Sequence, residues 1–485
     1  MTRGTATPDA AESGAPPRGA TRGRATILAA VMAGAVLGPI DASIVNVVLP
    51  TLSRSFSASL AAVQWVPMAY LLATGSLVLL FGRLGDLRGH RRVFLGGLLA
   101  FVGASVLCAA APTITALVAF RALQGAAAAA LSSVPLAILT ATFPPAERGK
   151  AIGLFAASIS VGLALGPSLG GFLTATFGWR AAFLVNLPLG LLAWVFARRV
   201  LPEVPRRPGR LDLPGAATAL GALVSLLLFV NRAQLEGLSV RTVPLLAAAL
   251  LCGALFVRLE RRAPEPMVAL SIFENRRVAF GASAAVLNFM SQYVVVFLTP
   301  FLLSRLLGAG PGRVGLVLTA FPLAVLCVAP FAGALSDRVG SALPAATGAL
   351  VSAAACALLA TMAPGAGEGD VAWRLALFGV GTGLFQSPNN SAVMGSAPKP
   401  HLGVVGSLLG TSRTLGMVLG VAAAGAVLYA FVPASALRDG GLAPEQVAAF
   451  AAGVRRAYAA GAAFAVAAAF LASAGGGRRC APLPA

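Results

Sequence analysis

Charge is scarce in this chain. Of 485 residues only 11% are charged, and only 16 are acidic, whereas a soluble domain carries about a quarter charged residues. That excludes an ordinary soluble protein. Lysine is almost missing, with Lys150 and Lys399 the only two, so arginine carries nearly all of the +20 net charge. No basic cluster is interleaved with aromatics, as a nucleic-acid surface would need, so no nucleic-acid partner is expected. Histidine occurs twice, His90 and His401, both in loops and expected at solvated surface. The five cysteines, Cys108, Cys252, Cys327, Cys356 and Cys480, include no CxxC pair. Metal-ligand spacings and nucleotide-binding glycine loops are absent too, which argues against an enzyme and predicts neither a metal nor a cofactor.

What the chain has instead is apolar length. Hydrophobic residues make up 58%, and they come in runs long enough to cross about 30 Å of hydrocarbon. Windows punctuated by charged or Pro/Gly-rich connectors predict fourteen helices between residues 26 and 473, least sharply at 213–257 and 403–431. The predicted class is an all-α polytopic membrane protein. An even count puts both termini on one face. Segments on that face hold 24 of the 36 Lys and Arg residues and the opposite segments hold 10, with Arg121 and Arg413 inside spans. Positive residues favour the inner face, so both termini are expected in the cytoplasm and the chain in the cell's inner, cytoplasmic membrane. Residues 1–24 are rich in Ala, Gly, Pro, Thr and Arg, and read as a disordered cytoplasmic tail rather than a cleaved signal.

An internal repeat organises the spans. Gly82-Arg83-Leu84-Gly85-Asp86-Leu87-Arg88-Gly89 follows the second span, and Gly333-Ala334-Leu335-Ser336-Asp337-Arg338-Val339-Gly340 returns at a constant offset of 251 residues. A single copy would pass as a polar turn. Two copies at one offset, on one face, indicate parallel structural repeats. The chain therefore divides into a six-helix bundle at 25–200, a linker with two extra helices at 201–276, a second six-helix bundle at 277–473 and a tail at 474–485. The inserted pair has no polar residue deep in its spans beyond Thr218 and Ser225, which predicts peripheral packing.

Several residues are out of place in hydrocarbon. Asp41 is the clearest carboxylate inside an apolar window; it must face the bundle interior or a cavity, either titrating a proton or contacting a cation, or else hydrogen-bonding a helix break near Pro39. Arg121 cannot shed its proton and needs a partner, whether for proton coupling or for a structural ion pair. Gly162, Gly166 and Gly170 stand four apart beside Pro167 and Gly171, giving a helix face that another backbone can approach closely. Pro388 is expected to interrupt its helix. The amides Asn46, Asn288, Gln292, Gln386, Asn389 and Asn390 can line a transport cavity or simply bridge helices.

With these residues in place, the chain resembles the major facilitator superfamily, and within it the fourteen-span drug:proton antiporter branch, from about Ala25 to Leu471. The Gly82–Gly89 loop is similar to the family's cytoplasmic gating motif, and the second copy to its degenerate form. Gly38 to Pro50 resembles the first-helix motif, with Ile40 and Ala42 loose matches. Arg121-Ala122-Leu123-Gln124-Gly125 is similar to the buried-arginine motif, and Gly162 to Gly171 resembles the antiporter signature. The resemblance implies proton-driven export of small amphipathic or cationic compounds by alternating access. Asp41, Arg121 and Gln124 would then serve proton coupling or substrate. Asn46, Asn288, Gln292, Gln386, Asn389, Asn390 and Arg413 would be cavity candidates. Gly82, Gly85, Asp86, Gly89, Arg91, Arg92, Asp337 and Arg338 would form the cytoplasmic gate. The expected partners are a small-molecule substrate, protons and the lipid bilayer, with the chain acting as a monomer. A specific metabolite, a siderophore or a self-made antibiotic is an alternative cargo, because fold alone does not separate these. A membrane sensor or enzyme is a more distant reading, and a channel is disfavoured by the paired gate motifs.

Overall fold

The computed structural model describes residues 18–203, 212–236, 239–262, 274–362, 366–396, 402–433, 437 and 444–475. Its long helical stretches are α1 (Gly23–Phe56), α2 (Leu60–Arg88), α3 (His90–Ala109), α4 (Ile114–Thr142), α5 (Glu147–Phe177), α6 (Ala181–Val200), α7 (Pro214–Ala233), α8 (Val243–Arg262), α9 (Arg276–Leu306), α10 (Pro311–Val339), α11 (Ala342–Ala360), α12 (Glu368–Gly395), α13 (Leu408–Phe431) and α14 (Gln446–Gly475). All but α12 are long and apolar enough to cross a membrane. Charges at its start and the Gln386 to Asn390 segment lower the hydropathy of α12. The helix nevertheless packs extensively against both α10 and α11.

Local chemistry sets the boundaries. Ser59 and Thr113 cap short connections, their hydroxyls accepting from the amides of Ala62 and Ala116 and supplying partners that helix starts otherwise lack. The two repeated loops end alike: Gly89 stops α2 at φ +103° and Gly340 stops α10 at φ +85°, a left-handed conformation that residues with a Cβ rarely adopt.

The packing repeats as well. Within the first half α2 lies on α4, α1 on α5, α3 on α4, α3 on α6 and α1 on α6; within the second half α10 lies on α12, α9 on α13, α11 on α12, α11 on α14 and α9 on α14. Each pair of the second half is the first-half pair moved on by eight helices. The halves meet where α5 packs on α10 and α2 on α13, and the same eight-helix shift relates those two contacts. The inserted α7 and α8 pack on each other and touch the body at α2 and α13, with Asn231 Nδ2 donating to the Ala61 carbonyl at 3.3 Å. Leu250 and Leu251 of α8 are largely exposed. Such a surface is stable against lipid tails, because apolar side chains there lose nothing to water.

Three sequence expectations need correction. The first helix begins at Arg18, inside the tail expected at 1–24; the segment contains good helix formers such as Ala and Arg and no proline after Pro17. Residues 1–17 and 476–485, like His401, lie outside the described residues. Helix α12 runs unbroken through Pro388, since proline removes only one backbone bond and membrane helices tolerate that loss inside a bundle. His90 is 5% exposed rather than solvated: it opens α3, and its ring lies against the Gly85 backbone of α2.

Candidate functional site

Asp41, Arg121 and Gln124 converge in the first half. Arg121 Nη1 donates to Asp41 Oδ2 at 2.5 Å and to Gln124 Oε1 at 2.5 Å, and Gln124 Nε2 donates to Asp41 Oδ1 at 2.9 Å. Two further residues complete the cluster. Asn186 Nδ2 donates to Asp41 Oδ1 at 2.7 Å, and Ser105 Oγ accepts from Gln124 Nε2 at 2.8 Å. The remaining guanidinium surface is used too: Arg121 Nε donates to the Val66 carbonyl at 3.3 Å, and the Arg121 carbon stands 4.1 Å from the Tyr70 ring centre. Asp41 is 0% and Arg121 1% exposed. Five helices, α1, α2, α3, α4 and α6, thus contribute to one buried ion pair.

Asp41 bonds within this cluster rather than at the turn near Pro39. Its oxygens face Arg121, Gln124 and Asn186, while the turn near Pro39 is served by Ser43, whose hydroxyl donates to the Pro39 carbonyl at 2.9 Å. Every neighbour donates to the Asp41 carboxylate. A buried pair of this kind contributes little net stability but is costly to break from one side.

A cavity of about 330 Å³ lies between the halves. Asn46, Gln292, Gln386, Asn390 and Arg413 line it, together with Pro167, Phe289, Tyr293 and Phe321. Gln386 Nε2 donates to Gln292 Oε1 at 3.2 Å across its wall. Two other candidates point elsewhere. Asn389 is buried and donates to the Gly281 carbonyl at 3.1 Å, bridging α12 to α9. Asn288 is fully buried within the second half, away from the cavity lining.

The glycine stripe of α5 explains how the cavity is closed at one end. Gly162, Gly166 and Gly170 face α1: a Cβ on Gly170 would lie 3.0 Å from the Ile44 Cα. Gly171 turns the other way, onto the second half, where a Cβ would lie 2.7 Å from the Pro311 carbonyl oxygen. Beside it Ser168 and Thr319 hydroxyls pair at 2.7 Å. Further along this end, the Ala61 amide donates to Tyr429 Oη at 3.0 Å and Arg305 Nη2 to Ser53 Oγ at 3.4 Å, the latter reached from a π-helical turn at Leu302–Leu306. These contacts sit at the end of the bundle remote from the Gly82–Gly89 loop. Toward that loop, Asn390 and Arg413 are exposed in the cavity, so the cavity opens on the loop side.

In this open state Asp86 and Arg91 make contacts within their own half. Asp86 pairs with Arg83 at 3.7 Å and His90 at 3.3 Å, while Arg91 bonds Glu203 and the Arg198 carbonyl. Gly85 is packed on Val134, Gly82 near Ser133, and Arg92, Asp337 and Arg338 are exposed. Sequence reading missed Ser105, Asn186, Val66 and Tyr70. Asn186 carried a usable signal, a lone amide in Val185-Asn186-Leu187-Pro188; a backbone carbonyl carries none.

Residues 31–421 match the family described as the Major Facilitator Superfamily. The chain is similar to the riboflavin transporter RibZ of Clostridioides difficile, 32% identical over 82% of this chain and 86% of that protein. It is also similar to the multidrug resistance protein Stp of Mycobacterium tuberculosis, 34% identical over 82% of this chain and 74% of that protein. Among solved structures, a bacterial homolog of the human lysosomal transporter Spinster in an inward-facing, occupied conformation superposes with a TM-score of 0.68 at 17% identity, covering 93% of this chain and 96% of that one.

Proposed function

Because the chain belongs to the Major Facilitator Superfamily, we propose that it is a fourteen-span, proton-coupled exporter of small amphipathic compounds that works as a monomer by alternating access in the cytoplasmic membrane. The observation that carries this reading is the Asp41–Arg121 pair, wholly buried, with Asp41 on α1, a helix that also walls the cavity through Ala42, Ser43 and Asn46. Asp41 accepts a proton from the outer side and yields it inward; Arg121, released and recaptured in turn, couples that exchange to the packing of α1 on α4. The loop-side arginine excess makes the loop face cytoplasmic, so the state described is inward-open. Gly171 on Gly315 closes the outer end, and the Gly82–Gly89 loop closes the inner end in the opposite state. The likeness to Stp supports a drug or antibiotic cargo; the likeness to RibZ supports a second reading, a single metabolite.

A resistance and accumulation panel in cells stripped of their own pumps tests the proposal. Expression of the wild-type chain is expected to lower accumulation of at least one aromatic antibiotic or dye, and Asp41→Asn to abolish that protection at equal membrane abundance. Protection that survives Asp41→Asn contradicts the coupling role.

A further inference from the structure

The cavity has a charge asymmetry that the export reading does not use. Among the described residues its lining contains no Asp or Glu, and Arg413 is its one charged residue. Asp41, the obvious counter-charge for a cationic drug, is sealed behind the first half's polar cluster at 0% exposure and is neutralised there by Arg121. Arg413, by contrast, is exposed in the cavity, with its guanidinium carbon 5.6 Å from the Phe289 ring centre. Among the described residues, no carboxylate lies within ion-pair distance of it. The two halves differ at this spot: Gly416 and Gly420 of α13 seat α9 as Gly166 and Gly170 of α5 seat α1, an offset of 250 residues, and the same offset carries Arg413 onto Leu163, which also lines the cavity. A cation therefore stands on one side of an otherwise apolar and amide-lined wall.

We infer that the cavity takes aromatic anions, such as carboxylates or phenolates on a fused-ring body, with Arg413 binding the anionic group and Phe289, Tyr293 and Phe321 covering the ring. A guanidinium offers a planar fork suited to a carboxylate, and it is weakly hydrated, so a partly desolvated site holds it in readiness. The amides of Gln292, Gln386 and Asn390 donate or accept according to the ligand's other oxygens. A lipophilic cation entering the same space meets like charge and no carboxylate to offset it. This inference rests on the central cavity being the transport site.

Equilibrium binding to the purified protein, read by fluorescence polarisation, tests it with two xanthene dyes of similar size. Fluorescein carries a carboxylate and a phenolate; tetramethylrosamine carries a single positive charge and no acid. Wild type is expected to bind fluorescein at least tenfold more tightly than tetramethylrosamine. Arg413→Gln is expected to weaken fluorescein about tenfold or more, the effect of deleting a charge-assisted hydrogen bond, with Arg413→Lys in between. Asn46→Asp, which adds a carboxylate to the cavity at nearly constant shape, is expected to reverse the preference. Equal or tighter binding of tetramethylrosamine by wild type, no binding of fluorescein, or an unchanged fluorescein affinity in a folded Arg413→Gln each overturns the inference. The export reading fails separately: a chain that binds fluorescein through Arg413 yet moves no compound in pH-gradient vesicles keeps the ligand class and loses the transport assignment.

Discussion

Neutralising the buried pair one residue at a time should cost far more than neutralising both. Asp41→Asn leaves Arg121 charged at 1% exposure with neutral acceptors and rings but no counter-charge to face: Gln124 Oε1, the Val66 carbonyl and the Tyr70 and Phe183 rings. Arg121→Gln leaves an ionised Asp41 held by the two amides of Gln124 and Asn186. Removing one partner of a buried pair costs about 3 to 5 kcal/mol, so independent effects would sum to roughly 6 to 10 kcal/mol. The double substitution Asp41→Asn/Arg121→Gln removes both charges and keeps amides that hydrogen-bond each other. Its expected cost is about 1 to 2 kcal/mol, the scale of an imperfect neutral hydrogen bond. The coupling energy is then several kcal/mol, well above the few tenths found between independent sites. Denaturant unfolding of the four purified proteins in one detergent measures it, with transport assayed on the same preparations. The double variant should regain stability and remain inactive, because a neutral pair holds the helices but carries no proton. Additive losses would refute the reasoning that these two charges compensate each other, and an active double variant would refute their role as a switch.

Three further outcomes follow from the same geometry. Arg121→Lys should fail to restore the transport lost in Arg121→Ala, since a point charge cannot serve Asp41, Gln124 and the Val66 carbonyl at once; full rescue in a vesicle uptake assay would argue for charge alone. Gly171→Leu should force the outer ends of α5 and α10 apart, because even its Cβ would lie 2.7 Å from a backbone oxygen; cysteine labelling at position 61 should rise, and unchanged labelling would mean that the contact does not close the outer end. Asp86→Asn removes the contacts with Arg83 and His90 that the loop-side-open state makes and should lower the inward-open population by up to about tenfold, the effect of one helix-end ionic contact of about 1 to 2 kcal/mol in a partly buried setting, while Asp337→Asn, exposed on α10, should change it less; spin-pair distances across the loop-side mouth would reveal equal shifts if the gate were symmetric.

Much of this molecule could be read from spacing. The 251-residue offset of the two loops located the repeat, and the structure answers it with Gly89 and Gly340 as matching left-handed stops and with packing pairs that recur eight helices on. Asp41 and Arg121 could each be marked as expensive in hydrocarbon, because an ionisable side chain inside an apolar window is visible from residue type alone. Their meeting could not be read, because it depends on how α1 and α4 are rotated toward each other. The same limit explains the amides: Gln292 reaches the cavity while Asn288, one turn away, is buried among α9's neighbours. Helical periodicity groups residues on a face but does not say which helix that face meets. His90 was misjudged for a related reason. A polar loop sequence does not reveal that Gly85, lacking a side chain, leaves room for an imidazole beneath the turn.

In the proposed mechanism protons pass through Asp41. Proteoliposomes loaded with a pH-sensitive dye, given an imposed pH gradient and then the compound identified by the resistance panel, test it most directly. Wild type should release protons in step with substrate movement, and Asp41→Asn should bind the substrate with unchanged affinity while moving neither substrate nor protons against a gradient. Substrate-linked proton release that persists in Asp41→Asn would contradict the claim and move the coupling site elsewhere in the chain.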